Sequence, residues 1–167
     1  YNRFVYATSC RQLQLMIDIK SEAVSTLNKL VATLQQYPAL AGASSLRIVI
    51  SGNRPDPSTW INWPSYIRFD GVLGIDYSKE ALTRIAMLSD DLKKYTRWDG
   101  TNKIPGKEWS KLEAAVERAH QLQKPVRFWG APDFMDAWQQ FMQLKVDYIN
   151  TDSIKALSAF LKDLTKD

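Results

Sequence analysis

A carboxylate and an ammonium stand two residues apart at the end of an apolar run, Asp18 and Lys20 in "LQLMIDIK". On an extended strand alternate residues project from one face, so the two charges share a face at the strand's end. A carboxylate there supplies hard oxygen to a divalent cation such as Ca2+ or Mg2+. An ammonium beside it neutralises an anionic oxygen such as that of a phosphate. The pattern suits a structural ion pair as well, and by itself leaves both open. Arg54, in "SGNRP", either forks onto a phosphate or braces its own loop. Arg127 and Trp129 alternate within "VRFW" and share a face. The single histidine, His120, falls in the amphipathic stretch "KEWSKLEAAVERAHQLQK", the place of a surface or boundary residue rather than a catalyst.

Composition excludes several classes. The net charge is +4, with basic residues scattered among acids, so there is no footprint for a nucleic acid. No apolar run approaches the roughly 18 residues of a membrane span. The one cysteine, Cys10, allows neither an internal disulfide nor a cysteine zinc cluster. The chain starts at Tyr1 with neither methionine nor a signal-like segment, as expected of a processed, trimmed or incomplete protein.

Residues of this kind need elements to hold them. Short β-rich runs fall at 13–19, 46–50, 66–69, 126–129 and 146–149, with a weaker one at 85–88. Helix-period stretches lie between them. "SEAVSTLNKLVATLQQY" puts Val24, Leu27, Leu30, Val31 and Leu34 on one stripe, with Ser21 as N-cap and Pro38 beyond its end. "SKEALTRIAML", "GKEWSKLEAAVERAHQLQ", "APDFMDAWQQFMQL" and "DSIKALSAFLKDL" repeat the pattern, capped by Ser78, Asp133 and Asp152 or Ser153. Strands separated by helices of this length indicate βαβ units, a parallel sheet and an α/β fold in a single domain over residues 1–167. The loops after the strands are polar ("ISGNRPDP", "FDGVLG", "LSDDLKKY", "FWGAPD", "INTD"), which fits a site at the strands' carboxyl ends. The aromatics of "STWINWPSY" and "KKYTRWDG" either form a stacking surface over such a site or pin their long loops.

Taken in order, "LQLMIDIKSEAVSTLNKLVATLQQYPAL", "RIVISGNRPDP", "RFDG", "KPVRFWGAPD…AW" and "VDYINTDSIKALSAFLK" resemble the glycerophosphodiester phosphodiesterase and phosphatidylinositol-specific phospholipase C-like superfamily, from Leu13 to about Leu164. The resemblance implies a TIM (β/α)8 barrel that hydrolyses phosphodiesters with one divalent metal ion, Ca2+ or Mg2+. It makes Asp18 a metal ligand, with Asp where the family usually has Glu. Lys20 would contact the phosphate or neighbouring carboxylates, and Arg54 would add positive potential. Asn53, Arg127, Trp129 and Asn150 would bind substrate, Trp129 either packing on the bound alcohol or filling the barrel. Asp152 would act either as a helix cap or in catalysis. The substrate would be a small-molecule or lipid-headgroup phosphodiester, and relatives of this branch are commonly extracytoplasmic.

The family's early motifs, two histidines and an acid-x-acid pair, have no counterpart here. The strand runs number about six, whereas a full barrel has eight strands. The chain is therefore expected to be the carboxyl-terminal portion of the barrel, about strands 3–8. The catalytic histidines and the remaining strands would come from upstream or from another chain, and the isolated portion would be poorly stable. The alternative is a non-catalytic barrel module that binds a phosphate- or sugar-containing ligand.

Overall fold

Strands and helices alternate through residues 12–164, which are the residues that the computed structural model describes; Cys10 lies outside them. Two units are distinguished. One comprises the residues up to Asp70 together with Asp76–Ala86, the other Gly71–Ile75 together with Met87 onward.

In the first unit, β1 (Leu13–Ile19) is followed by α1 (Ala23–Gln35), the short α2 (Pro38–Ala41) and β2 (Leu46–Gly52). β1 and β2 are parallel and in register from Leu13 opposite Leu46 to Ile19 opposite Gly52. Parallel neighbours need a long crossover, and α1 supplies it. Its apolar stripe is graded: Leu27 and Leu34 are buried, Leu30 and Val31 half-buried, and Val24 exposed at the margin. The cap is Glu22 rather than Ser21. The glutamate reaches the N–H groups of Val24 at 2.9 Å and Ser25 at 2.7 Å, while the Ser21 hydroxyl bonds Thr26.

β3 (Ile67–Val72) continues the parallel ladder beside β2, with Ile50 opposite Phe69. The segment between them holds a 3₁₀ turn, Pro57–Asn62, pinned by Trp60. That ring is buried, stacks on Phe69 at 4.5 Å and 7°, and donates Nε1–H to the Pro55 carbonyl. Trp60 therefore pins its loop. α3 (Lys79–Arg84), capped by Ser78 as expected, runs into β4 (Ile85–Asp91) with no intervening loop. The break follows Arg84, whose buried guanidinium donates to the carbonyls of Trp63 and Ile67, both at 2.9 Å. Burial and the nearby charge of Arg68 lower its pKa. The strand also outruns its apolar residues 85–88, carrying Ser89, Asp90 and Asp91 as strand residues rather than loop.

The second unit adds α4 (Gly106–Gln121), β5 (Val126–Trp129), α5 (Met135–Gln143), β6 (Tyr148–Ile149) and α6 (Ile154–Asp163). β4, β5 and β6 are parallel in that order, with Ser89 opposite Arg127 and Arg127 opposite Tyr148. α4 buries Leu112, Val116 and Ala119 along one face. His120, at that face's edge, bonds Asp147 Oδ2 at 2.8 Å, and the same oxygen accepts the N–H of Val126 at the start of β5. It is a boundary residue, as its helical position indicated. Trp98 packs edge-on against Phe141, so this loop aromatic is packing as well. Parallel strands in chain order within each unit, alternating with helices, make an α/β fold and fit part of a TIM-like barrel.

Two side chains illustrate how loops at the strand ends are fixed. Asp133 is not the cap of α5; Phe134 occupies that place. Its carboxylate instead accepts from Trp138 Nε1 at 3.1 Å and from the backbone N–H of Asp152 at 2.8 Å and Ser153 at 3.2 Å, tying α5 to the start of α6. Burial works to raise its pKa, but hydrogen bonds from Thr151, Asp152, Trp138 and Ser153 outweigh it and hold the carboxyl below its usual value. Gly52, the last residue of β2, has φ of +72°. A Cβ there would collide with Asp18 Oδ1 and with the Ile19 carbonyl, so the turn needs glycine for both conformation and space.

Two outcomes follow. Gly52→Ala will lower the unfolding free energy from urea titration by about 1–3 kcal/mol, whereas Gly106→Ala, where a Cβ meets nothing within 4 Å, will be neutral or mildly stabilising. Asp133 has a depressed folded pKa, so its stabilisation is full above the unfolded pKa of about 3.9 and lost as pH falls through the folded value. Asp133→Asn will therefore be less stable than the parent at neutral pH, and urea titrations will show the gap closing as the medium is acidified below about pH 4.

Candidate functional site

In the first unit the parallel ladder sets a polar row at the strands' carboxyl ends. Asp18 on β1 lies opposite Ser51 on β2. One step beyond the pair Ile50–Phe69, Ser51 lies beside Asp70 on β3, and its hydroxyl donates to Asp70 Oδ2 at 2.9 Å. Adjacent strands are about 4.8 Å apart, so the three side chains stand side by side on one face. Asp70 is 2% exposed and Ser51 is buried with it.

Asp18 is different in kind. Its Oδ2 pairs with Lys20 Nζ at 2.8 Å, but the side chains are 49% and 82% exposed respectively. A pair so open to water contributes at most about 1 kcal/mol, so fold stability does not account for it. Both charges remain within reach of a ligand.

The loop after β2 closes over this tip. The Asn53 N–H donates to the Ile19 carbonyl and its Nδ2 to the Ser21 carbonyl, both at 2.8 Å, lashing the loop to the end of β1. Arg54 follows, half-buried, between that lashing and the Pro55 carbonyl that Trp60 holds. Asn53 and Arg54 are thus brought to the same strand ends as Asp18 and Lys20.

The second unit presents its own group. Arg127 on β5 approaches Ser89 Oγ at 3.5 Å and Asn150 Oδ1 at 3.4 Å, both at the long limit of a hydrogen bond. Val126 and Phe128 are buried, whereas Trp129, on the Arg127 side of the strand, is 43% exposed. A cleft of about 530 Å3 adjoins, with Gly130, Asn150 and Asp152 among its lining. Asp90 points the other way and is structural: it pairs with Lys94 at 2.6 Å and accepts from the Tyr95 hydroxyl at 3.2 Å. Burial, with the Asp90 charge behind it, pushes the Tyr95 phenol up to about 12.

Sequence reasoning missed Ser51, Asp70 and Ser89. Their signal was a polar residue closing an apolar strand run ("RIVIS", "RFD", "AMLS"), the same signal that drew attention to Asp18. Among the described residues no group of three or more His, Cys, Asp or Glu is placed to hold a metal ion. Asp18 offers one open carboxylate, which fits a cation held by one or two carboxylates with water and phosphate oxygens, and does not fit a cage made by the protein alone.

No curated protein and no solved structure matches the chain. Residues 125–153, spanning β5, α5 and β6 and including Arg127, Trp129 and Asn150, match the model of the glycerophosphoryl diester phosphodiesterase family. Over that stretch the chain is similar to this family, and the match suggests a phosphodiesterase-type function.

Proposed function

We propose that this chain belongs to a metal-dependent phosphodiester hydrolase of the glycerophosphodiester phosphodiesterase type, with Asp18 and Lys20 at the centre of its chemistry. The observation that carries the reading is the open Asp18–Lys20 pair at the tip of β1, too exposed to serve stability and set against Gly52. Asp18 would hold the divalent cation. When bound, that ion polarises the phosphoryl oxygens and stabilises the charge that develops on them. Lys20 places an ammonium beside the same anion, and Arg54 adds a guanidinium whose planar fork suits phosphate. In the second unit, Arg127, braced by Asn150 and Ser89, offers a fork to a phosphate or hydroxyl oxygen, and the open face of Trp129 suits the apolar part of an alcohol. The remaining barrel strands, and the groups acting as general acid and base, lie outside residues 12–164 in this reading.

The second reading, a phosphate-binding module without chemistry, is favoured by the placement of His120, which is occupied with Asp147 at the start of β5. One assay separates the two. The full-length protein is given bis(p-nitrophenyl) phosphate with Mg2+ or Ca2+, with and without a chelator. The hydrolase reading expects chelator-sensitive turnover, a loss of about 100-fold in kcat for Asp18→Ala, a smaller loss for Lys20→Met, and no change for His120→Gln. Full activity in Asp18→Ala, with its thermal midpoint unchanged, overturns the site. Phosphate binding with no turnover by the parent protein supports the module.

A further inference from the structure

The second unit holds a larger cleft on its helical side, about 870 Å3, between the start of α4, the loop before it and α5. One wall is a polar stripe. Asp136, Gln139, Gln140 and Gln143 occupy positions i, i+3, i+4 and i+7 of α5, one face of the helix, while Ala137, Trp138, Phe141 and Leu144 are buried on the other. Of the stripe's exposed residues, Asp136, Gln139 and Gln143, two are neutral amides, each a donor and an acceptor together.

The opposing wall is built in place. Gln140, almost fully buried, accepts the Ile104 N–H at 2.8 Å and donates to the Asn102 carbonyl at 3.0 Å, so the loop is fastened to α5 from inside the unit. Asn102 keeps a left-handed φ of 59° in that loop. Trp109, half-buried in the first turns of α4, lines the cleft together with Lys103. The result is a preformed recess within the usual 300–1,000 Å3 range of ligand sites. It combines one flat aromatic face, amides in a row and a single carboxylate.

We propose that this cleft binds a neutral saccharide, one or two pyranose units of a glycan. The C–H face of a pyranose lies against an indole as apolar surface. Its vicinal hydroxyls, each donor and acceptor, match the paired donors and acceptors of Gln139 and Gln143 and the accepting oxygens of Asp136. Lys103 and Asp136 leave the cleft without net charge, which gives a charged ligand no advantage, and the amide row disfavours a purely apolar one. The site lies on the helical side of the second unit and is independent of the hydrolase reading.

Saturation-transfer NMR with maltotriose, cellotriose and triacetylchitotriose as separate probes of the full-length protein tests it. At least one trisaccharide should bind with Kd in the millimolar range or tighter. Trp109→Ala should abolish the transfer. Gln143→Ala, at an exposed helical position where alanine favours the helix, should weaken binding about tenfold without lowering the thermal midpoint. Asp18→Ala should leave binding unchanged, so that failure here and failure of the hydrolase reading are distinguishable. No binding of any of the three sugars, or binding that survives both Trp109→Ala and Gln143→Ala, overturns the proposal.

Discussion

The in-register parallel ladder of the first unit decides what its strand tips can do. Because β1 and β2 pair residue for residue up to Ile19 and Gly52, Asp18 falls beside Ser51, and Ser51 bonds Asp70 on the next strand. A slip of β1 by one residue would turn Asp18 to the face opposite Ser51 and Asp70. Gly52 removes the side chain that would occupy the space of the Asp18 carboxylate, and its left-handed conformation turns the chain so that Asn53 can bond the end of β1. The position of Asp18 is thus set by backbone geometry rather than by its ion pair with Lys20.

Burial sorts the polar groups along these strands. Asp70 and Asp90 are buried, and each has partners that account for it: Ser51 for the first, Lys94 and Tyr95 for the second. An unpartnered buried carboxylate is costly, so such groups are kept with their hydrogen bonds. Asp18 and Lys20 gain little from each other in water and keep their charges available. Arg127 stands between these extremes, half-buried beside Ser89 and Asn150 on the side of β5 that carries the exposed Trp129.

Much of this was legible in the residues. β1 and β5 run over the same residues as their apolar runs, 13–19 and 126–129, because both alternate or stay apolar throughout and end at polar loops. The parallel order was legible because helical stretches separate the strands. β4 was harder: "SDD" reads as turn chemistry, yet those residues stay on the strand because they pair with Arg127, Phe128 and Trp129 of β5, a partner far along the chain. The end of α3 was hidden for a related reason, since Arg84 looks like helix surface but is drawn inward by three backbone carbonyls from a distant segment. The caps at Ser21 and Asp133 were misplaced because each side chain has another partner: the Ser21 hydroxyl bonds Thr26, and the Asp133 carboxylate is taken by the distant N–H groups of Asp152 and Ser153. Of the site, the residues within single strand motifs could be seen. Ser51, Asp70 and Ser89 each close an apolar run in the same way, but which neighbours they meet is set by register across strands.

The claim that the tip of β1 is a cation and phosphate site is tested most directly by Mn2+ titration followed by paramagnetic broadening in the NMR spectrum of the full-length protein. The account predicts that the amides of Ile19, Gly52 and Asn53 broaden first, that added inorganic phosphate strengthens the effect, and that Asp18→Asn abolishes it. Broadening centred elsewhere, or unchanged in Asp18→Asn, would contradict it.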